Sequence, residues 1–459
     1  MVLGVKSTVK TFFPDEPIHF KSEHGHISFP DIIKMIPQLS TGFSFYVNPC
    51  LNTGHIQTAY TSLNKFENVD LVHYKRVIMP IENITYNVDG DELHYDQWKG
   101  QSTVALDYVV PEYAPSDDHL QFKPASQHKP LPPRTEYLDP QLEQDLLDND
   151  KPLVVALHGL SGGSYESYIR AFLNVITKEP YNFDAVVLNS RGCANHCITS
   201  PQLFNGLWTN DVRYLINEHI GKKWPNKRVY LIGFSLGGAI LANFLGQEAD
   251  RVSPQIKGAA IMGTPWDFSD SSIQLRESII GHNVYSPVMG KNLMRLLHEN
   301  IDQLTNNKVV KEYTENPAKI SIERLKDFDN QFTSKLFGFN NADEYYRHAS
   351  PNQRLIKVRV PTVIVSSLDD PITGSRTIPY AETKINPFVS IVTTSIGGHL
   401  GWFDWKGGRW YPSPIADLFA ELNHWDVDDT SVELLPLPAE GKCWKHDRLV
   451  SCKSIVVHD

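Results

Sequence analysis

The segment Val229-Tyr230-Leu231-Ile232-Gly233-Phe234-Ser235-Leu236-Gly237-Gly238-Ala239-Ile240-Leu241-Ala242 constrains this chain more than any other. It opens as an apolar run of strand length and closes as small and aliphatic residues suited to a buried helix. Between them stands Gly-x-Ser-x-Gly. A strand that enters a helix through so short a turn brings positions 233 and 237 too close to neighbouring backbone for a side chain, and it thrusts Ser235 outward. The helix then begins near Leu236, so its first amides and its dipole point at an oxygen that gains charge when the serine attacks.

Such a turn requires a sheet to support it, and the sequence supplies one. Short runs at 153–157, 185–188, 229–232, 258–262 and 362–365 are continuously apolar, with stretches able to form helices between them. Strands apolar on both faces and spaced in this way predict an α/β fold with a mostly parallel central sheet covered by helices. Around that core the expected organisation is an N-terminal extension with the first strands of the sheet in 1–110, including a run at 103–110. Prolines at 111, 115, 124, 130, 132, 133 and 140 predict a surface loop over 111–152, its tail at 139–148 a short polar helix. The core then occupies 153–265 and resumes at 352–425, and 426–459 is a C-terminal tail. Between the two halves, 266–351 is mostly helical in pattern, at 272–280, 291–304 and 342–348, and predicts a cap inserted over the sheet.

Charge and cysteine usage narrow the partners. Lys and Arg number 43 against 53 Asp and Glu, a net charge of −10 without any dense basic run, which argues against a nucleic-acid partner. The five cysteines, Cys50, Cys193, Cys197, Cys443 and Cys452, are too few and too scattered for a disulfide framework and suit a reducing compartment. The first residues lack the apolar core of a signal peptide, and no run reaches the ~18 apolar residues of a membrane span. An intracellular protein is expected, cytoplasmic or peripheral to a membrane or lipid droplet.

A serine nucleophile needs a base, an acid that orients it, and donors for the oxyanion. On a strand–turn–helix serine these follow in the order serine, acid, histidine. Ser366-Ser367-Leu368-Asp369-Asp370-Pro371-Ile372 ends a strand with two acids: Asp370, directly before Pro-Ile, is the expected member, with Asp369 as the alternative. The β-rich run at 389–396 leads into Gly397-Gly398-His399-Leu400-Gly401, which places His399 as the base. In this reading His399 takes the Ser235 proton, Asp370 holds the imidazole tautomer, and the amides of Leu160 and Leu236 form the oxyanion hole. Leu160 enters because Leu157-His158-Gly159-Leu160-Ser161-Gly162-Gly163-Ser164 follows an earlier strand with glycines that admit close approach.

Other patterns weigh less. Cys193, His196 and Cys197 lack a second ligand pair and read as structural, so neither a metal nor a cofactor is expected. His399-x4-Asp404 is a spacing common by chance. Arg191 and His55 either brace the loops of the site or simply pack. Phe328, Phe332, Phe337, Phe339, Tyr345 and Tyr346 in the cap either line an acyl pocket or form core.

Together, 157–164, Asn189-Ser190-Arg191-Gly192-Cys193, 233–238, Asp369-Asp370-Pro371, 397–401 and the N-terminal Gly54-His55-Ile56-Gln57-Thr58 resemble the AB hydrolase 4 family of the AB hydrolase superfamily. The Pro-rich 111–150 stretch and the want of a membrane span bring the chain nearest to that family's fungal medium-chain fatty acid ethyl ester synthase/esterase group. The resemblance, which spans about 48–405, implies an α/β-hydrolase fold with a helical cap. It also implies transfer of a medium-chain acyl group, from an ester to water or from acyl-CoA to an alcohol such as ethanol. A monoacylglycerol lipase or phospholipase-like lipid hydrolase, or a non-catalytic lipid-binding member, is the alternative within the same family.

Overall fold

The computed structural model describes residues 4–23, 25–88 and 91–428, and the backbone of a hairpin at Lys442–Lys445 and Arg448–Ser451. Most of the expected C-terminal tail, with the side chains of Cys443 and Cys452, lies outside the described residues.

Eleven strands form one sheet: β1 Lys6–Phe12, β2 Ser44–Tyr46, β3 His73–Pro80, β4 Thr103–Val110, β5 Thr135–Tyr137, β6 Leu153–Leu157, β7 Asp184–Asn189, β8 Val229–Phe234, β9 Ile256–Met262, β10 Thr362–Ser367 and β11 Val389–Thr394. Their spatial order is β2-β1-β11-β10-β9-β8-β6-β7-β4-β3-β5. The six strands from β7 to β11 pair parallel throughout. Every residue of β6, β8, β10 and β11 is buried. This is the reason those strands read as continuous apolar runs rather than alternating ones: helices cover both faces. The helix Pro412–Leu422, for example, lays Phe419 against Tyr230 of β8, ring centroids 5.1 Å apart. The fold is that of an α/β-hydrolase, with a large, mostly parallel central sheet.

One segment falls differently from the reading of the sequence, and another is placed more finely. The strands of the first 110 residues divide between the two sides of the sheet. β1 pairs antiparallel with β11, while β3 and β4 lie at the far side, β4 antiparallel to β7. The alternating burial of β1, with Ser7, Val9 and Thr11 inward, suits an outer strand covered on one face. The Pro-rich 111–152 stretch is not loop throughout. Thr135–Tyr137, a stretch without proline, adds to β3 in parallel at the margin, where a strand needs only one hydrogen-bonded neighbour. Its tail forms a 3-10 turn, Pro140–Leu142, and a short helix, Glu143–Leu146.

Between β9 and β10 the chain is helical: Phe268–Glu277, Ser286–Glu299, Ile301–Leu304, Lys308–Glu315, Leu325–Phe328, Ser334–Leu336 and Ala342–Ala349, with π-helical turns at Gly281–Tyr285 and Asp329–Thr333. The first of these starts four residues before the apolar periodicity does, because Asp267 caps it, accepting from the amides of Ser269 and Asp270. No helix among the described residues is long and apolar enough to cross a membrane.

Candidate active site

Ser235 stands where β8 turns into the helix Leu236–Glu248, with φ +53° and ψ −118°. That conformation is strained for a residue with a side chain and persists only where its surroundings impose it. They do so through Ser235 N–H, which donates to Met262 O at 2.8 Å, and Ser235 O, which accepts from Thr264 Oγ1 at 3.2 Å. The flanking glycines have a steric cause. A Cβ on Gly233 would lie 2.6 Å from Gly237 O, and one on Gly237 would lie 2.4 Å from His158 O.

His399 Nε2 lies 2.9 Å from Ser235 Oγ, and its Nδ1 lies 2.8 Å from Asp370 Oδ2. Asp370 Oδ1 accepts from the amides of Ile372 at 2.8 Å and Thr373 at 3.1 Å. Burial pushes the Asp370 carboxyl up, but His399 and the two amides outweigh it and hold the group below the usual carboxylate range. A serine, imidazole and ionised carboxylate joined in this way can pass the hydroxyl proton to the ring and stabilise the charge it acquires. Asp369 points elsewhere. Its Oδ1 accepts from Ser367 Oγ and from the amides of Gly397 and Gly398, so it holds the loop that carries His399 rather than the ring.

Leu160 and Leu236 border the same cavity as Ser235. Leu236 is the first residue of its helix, so its N–H has no intrahelical acceptor. The turn before Leu160 packs directly on the nucleophile: a Cβ on Gly159 would lie 3.3 Å from that of Ser235. Three contacts fix this loop. His158 Nε2 accepts from the Ser190 amide at 3.0 Å, Asn189 Oδ1 accepts from the Ser164 amide at 3.0 Å, and Gly159 N–H donates to Tyr168 OH at 3.0 Å. A buried bidentate pair, Arg76 with Asp107, stands behind, and Asp107 also accepts from Ser164 Oγ.

The cavity encloses about 940 Å³ including its open mouth. Its wall is mostly apolar, with Leu275, Met289, Leu293 and Leu296 contributed by two cap helices. Phe328, Phe337, Tyr345 and Tyr346 border it, whereas Phe332 packs in the core beside Phe328 and Tyr313 and Phe339 packs on Tyr345 and His348. The wall also holds polar groups, among them a buried cluster in which Asp329 accepts from Thr333 Oγ1 at 2.6 Å and Tyr346 OH at 2.7 Å.

The remaining side chains singled out in the sequence have local partners. Arg191 makes a buried bidentate pair with Asp211 and lies over Trp208, while His55 Nδ1 meets Tyr285 OH of the cap at 2.9 Å. His196 bonds Thr103 Oγ1, Cys197 sits beside His128, and burial pushes the Cys193 thiol upward. Asp404 caps its own turn at the amides of Lys406 and Gly408. Among the described residues no group of three His, Cys, Asp or Glu side chains is placed to hold a metal ion. Two residues that reading the sequence left without a role, Gln57 and Thr58, touch the His399 loop directly; the only signal was their place in the Gly54-to-Thr58 motif.

The profile of the alpha/beta hydrolase fold family matches residues 152–404. Monoacylglycerol lipase of Saccharomyces cerevisiae is 38% identical over 422 residues, covering 90% of this chain and 90% of that protein. Medium-chain fatty acid ethyl ester synthase/esterase 2 of the same yeast is 32% identical over 427 residues, covering 88% of this chain and 92% of that protein. Phospholipase ABHD3 of Homo sapiens is 29% identical over 296 residues, covering 61% of this chain and 69% of that protein. With its sheet order, its strained serine between strand and helix, and similarity along nearly its whole length, the chain belongs to the α/β-hydrolase family.

Proposed function

We propose that this protein is a serine esterase that cleaves esters of a single medium-length acyl chain through an acyl-enzyme on Ser235. The observation that carries the reading is the Asp370–His399–Ser235 hydrogen-bonded chain opening into a mostly apolar cavity under the cap. The acyl chain occupies that cavity. Ser235 Oγ attacks the ester carbonyl as His399 takes its proton, and the amides of Leu160 and Leu236 receive the oxyanion. His399 returns the proton to the departing alcohol, and water, activated by the same ring, releases the acid. If ethanol or another alcohol enters instead of water, an ester forms, and acyl-CoA serves as donor in that direction.

The 38% identical monoacylglycerol lipase favours glycerol as the alcohol part, the 32% identical ester synthase/esterase an ethyl group. A lipid surface is a fitting source of either substrate. Ile273, Ile279, Ile280, Val284 and Val288 of the cap are exposed apolar side chains, which supports peripheral contact with a membrane or lipid droplet.

The test uses purified full-length protein. A fluorophosphonate should label it, and Ser235→Ala should abolish both labelling and turnover; turnover retained in the variant sinks the reading. Monooctanoylglycerol, ethyl octanoate, and octanoyl-CoA with and without ethanol, with free octanoate and ethyl octanoate quantified, then separate hydrolysis from alcohol transfer. Binding of these lipids with no turnover of any would instead favour a non-catalytic lipid-binding role.

A further inference from the structure

The loop that carries His399 has an unusual backbone. Gly398, Leu400 and Trp402 have φ of +57°, +59° and +48°, and two of the three are not glycine. A loop of this kind keeps its shape only where other groups hold it. One anchor is Asp369, which accepts from the amides of Gly397 and Gly398. Another comes from the helix Gly54–Leu63. Thr58 Oγ1 accepts from the amide of His399 itself at 2.9 Å, across 341 positions of sequence. The same hydroxyl donates to Gly54 O at 2.7 Å, so its proton is committed and its lone pair faces His399. Gln57 acts on the far side of the loop. Its Oε1 accepts from the Phe403 amide at 3.0 Å while Nε2 donates to Leu51 O at 2.9 Å, which fixes the orientation of the amide group. Both side chains are buried, and a Cβ on Gly398 would lie 2.4 Å from Gly54 O, so helix and loop are in direct contact.

We propose that Thr58 and Gln57 are positioning residues for His399. They hold the backbone on either side of the imidazole so that one ring meets Asp370 and Ser235 at once. This rests on His399 serving as the base for Ser235. The imidazole hangs from a Cα whose own amide is tied to Thr58, so a displacement of that backbone moves Nδ1 and Nε2 together. A shift of about 1 Å at a reacting group can lower a rate by about 100-fold. None of the residues that line the acyl cavity belongs to this helix, so the loss should fall on kcat and leave KM nearly unchanged.

The test compares Thr58→Val, which keeps shape and loses the hydroxyl, with Thr58→Ser, which keeps the hydroxyl, and with Gln57→Met. Each is measured for kcat and KM on p-nitrophenyl octanoate and for melting temperature. Thr58→Val and Gln57→Met should lower kcat by about 10- to 100-fold with KM within about twofold, and Thr58→Ser should stay within about threefold of the parent. A folded Thr58→Val or Gln57→Met with kcat within about twofold of the parent overturns the proposal, as does Thr58→Ser falling as far as Thr58→Val. Should Thr58→Val not fold, Gln57→Met and Thr58→Ser decide by the same limits. Fluorophosphonate labelling of the parent that depends on Ser235 keeps the two ideas separate. If it is absent, the reading of the site fails; if it is present while these variants react at the parental rate, only the positioning role fails.

Discussion

Asp370 Oδ2 lies 2.8 Å from Nδ1 of His399, and the two side chains are only 1% and 15% exposed. The neighbouring carboxylate of Asp369 reaches the same loop through two backbone amides and never touches the ring. Substituting the two acids should therefore have unequal effects. Asp370→Asn removes the charge that fixes the tautomer and should lower kcat by about 10⁴-fold. Asp369→Asn keeps that contact and weakens only the hold on the loop, for a loss of about 10-fold. Steady-state kinetics on p-nitrophenyl octanoate decides it, and equal losses would contradict the geometry.

Leu293 faces the cavity from the helix Ser286–Glu299. Leu293→Trp should fill space that an acyl chain would use and move the preferred ester toward shorter chains. Each methylene denied its burial forfeits about 0.8 kcal/mol, or about fourfold in kcat/KM. Rates across a series from butanoyl to dodecanoyl esters measure the shift; an unchanged profile would place the acyl chain elsewhere.

Asp329 is buried in the cavity wall, and burial pushes its carboxyl up to about 6 despite the hydroxyls of Thr333 and Tyr346. The folded protein therefore holds this proton more tightly than the unfolded chain does. Its contribution to stability is fully present below about pH 4 and declines as the pH rises through about 6, by on the order of 2–3 kcal/mol. Asp329→Asn mimics the protonated form. Relative to the parent, its melting temperature should rise by about 1–2 °C between pH 5 and pH 7.5. A difference that does not vary with pH would show that the group does not titrate in this range.

His158 works in the opposite direction. Its Nδ1–H donates to Gly159 O at 2.7 Å and its Nε2 accepts from the Ser190 amide at 3.0 Å, an arrangement open only to the neutral ring. Burial pushes its pKa down to about 4. The unfolded chain binds this proton first, so stability is lost as the pH falls from about 6.5 toward 4, by about 2 kcal/mol at pH 5. In His158→Gln the amide oxygen can still accept from Ser190 and nothing titrates. The variant should lose less stability than the parent between pH 6.5 and pH 5 in denaturant titrations, and parallel slopes would refute the assignment.

What the sequence by itself determined was local in origin. A strand, a turn too tight for side chains at 233 and 237, and a helix are specified by residues adjacent in the chain, so Ser235 stands out without any structure. The buried strands declare themselves too, because a strand covered on both faces must be apolar at every position. Asp370 and His399 were legible as candidates because each follows such a strand. Between two adjacent acids the sequence favoured Asp370 only through its place before Pro371-Ile372; both are short carboxylates on one turn, and the placement of the loop at 397–401 is what sets Asp370 against the ring and Asp369 against the backbone. Tertiary structure alone decided that β1 and β2 lie at one side of the sheet while β3 and β4 lie at the other, because pairing between distant strands leaves no periodic mark on the chain. It alone brought Thr58 to the amide of His399: a backbone N–H has the same chemistry at every position, so nothing in the residues around His399 announces where its partner will come from.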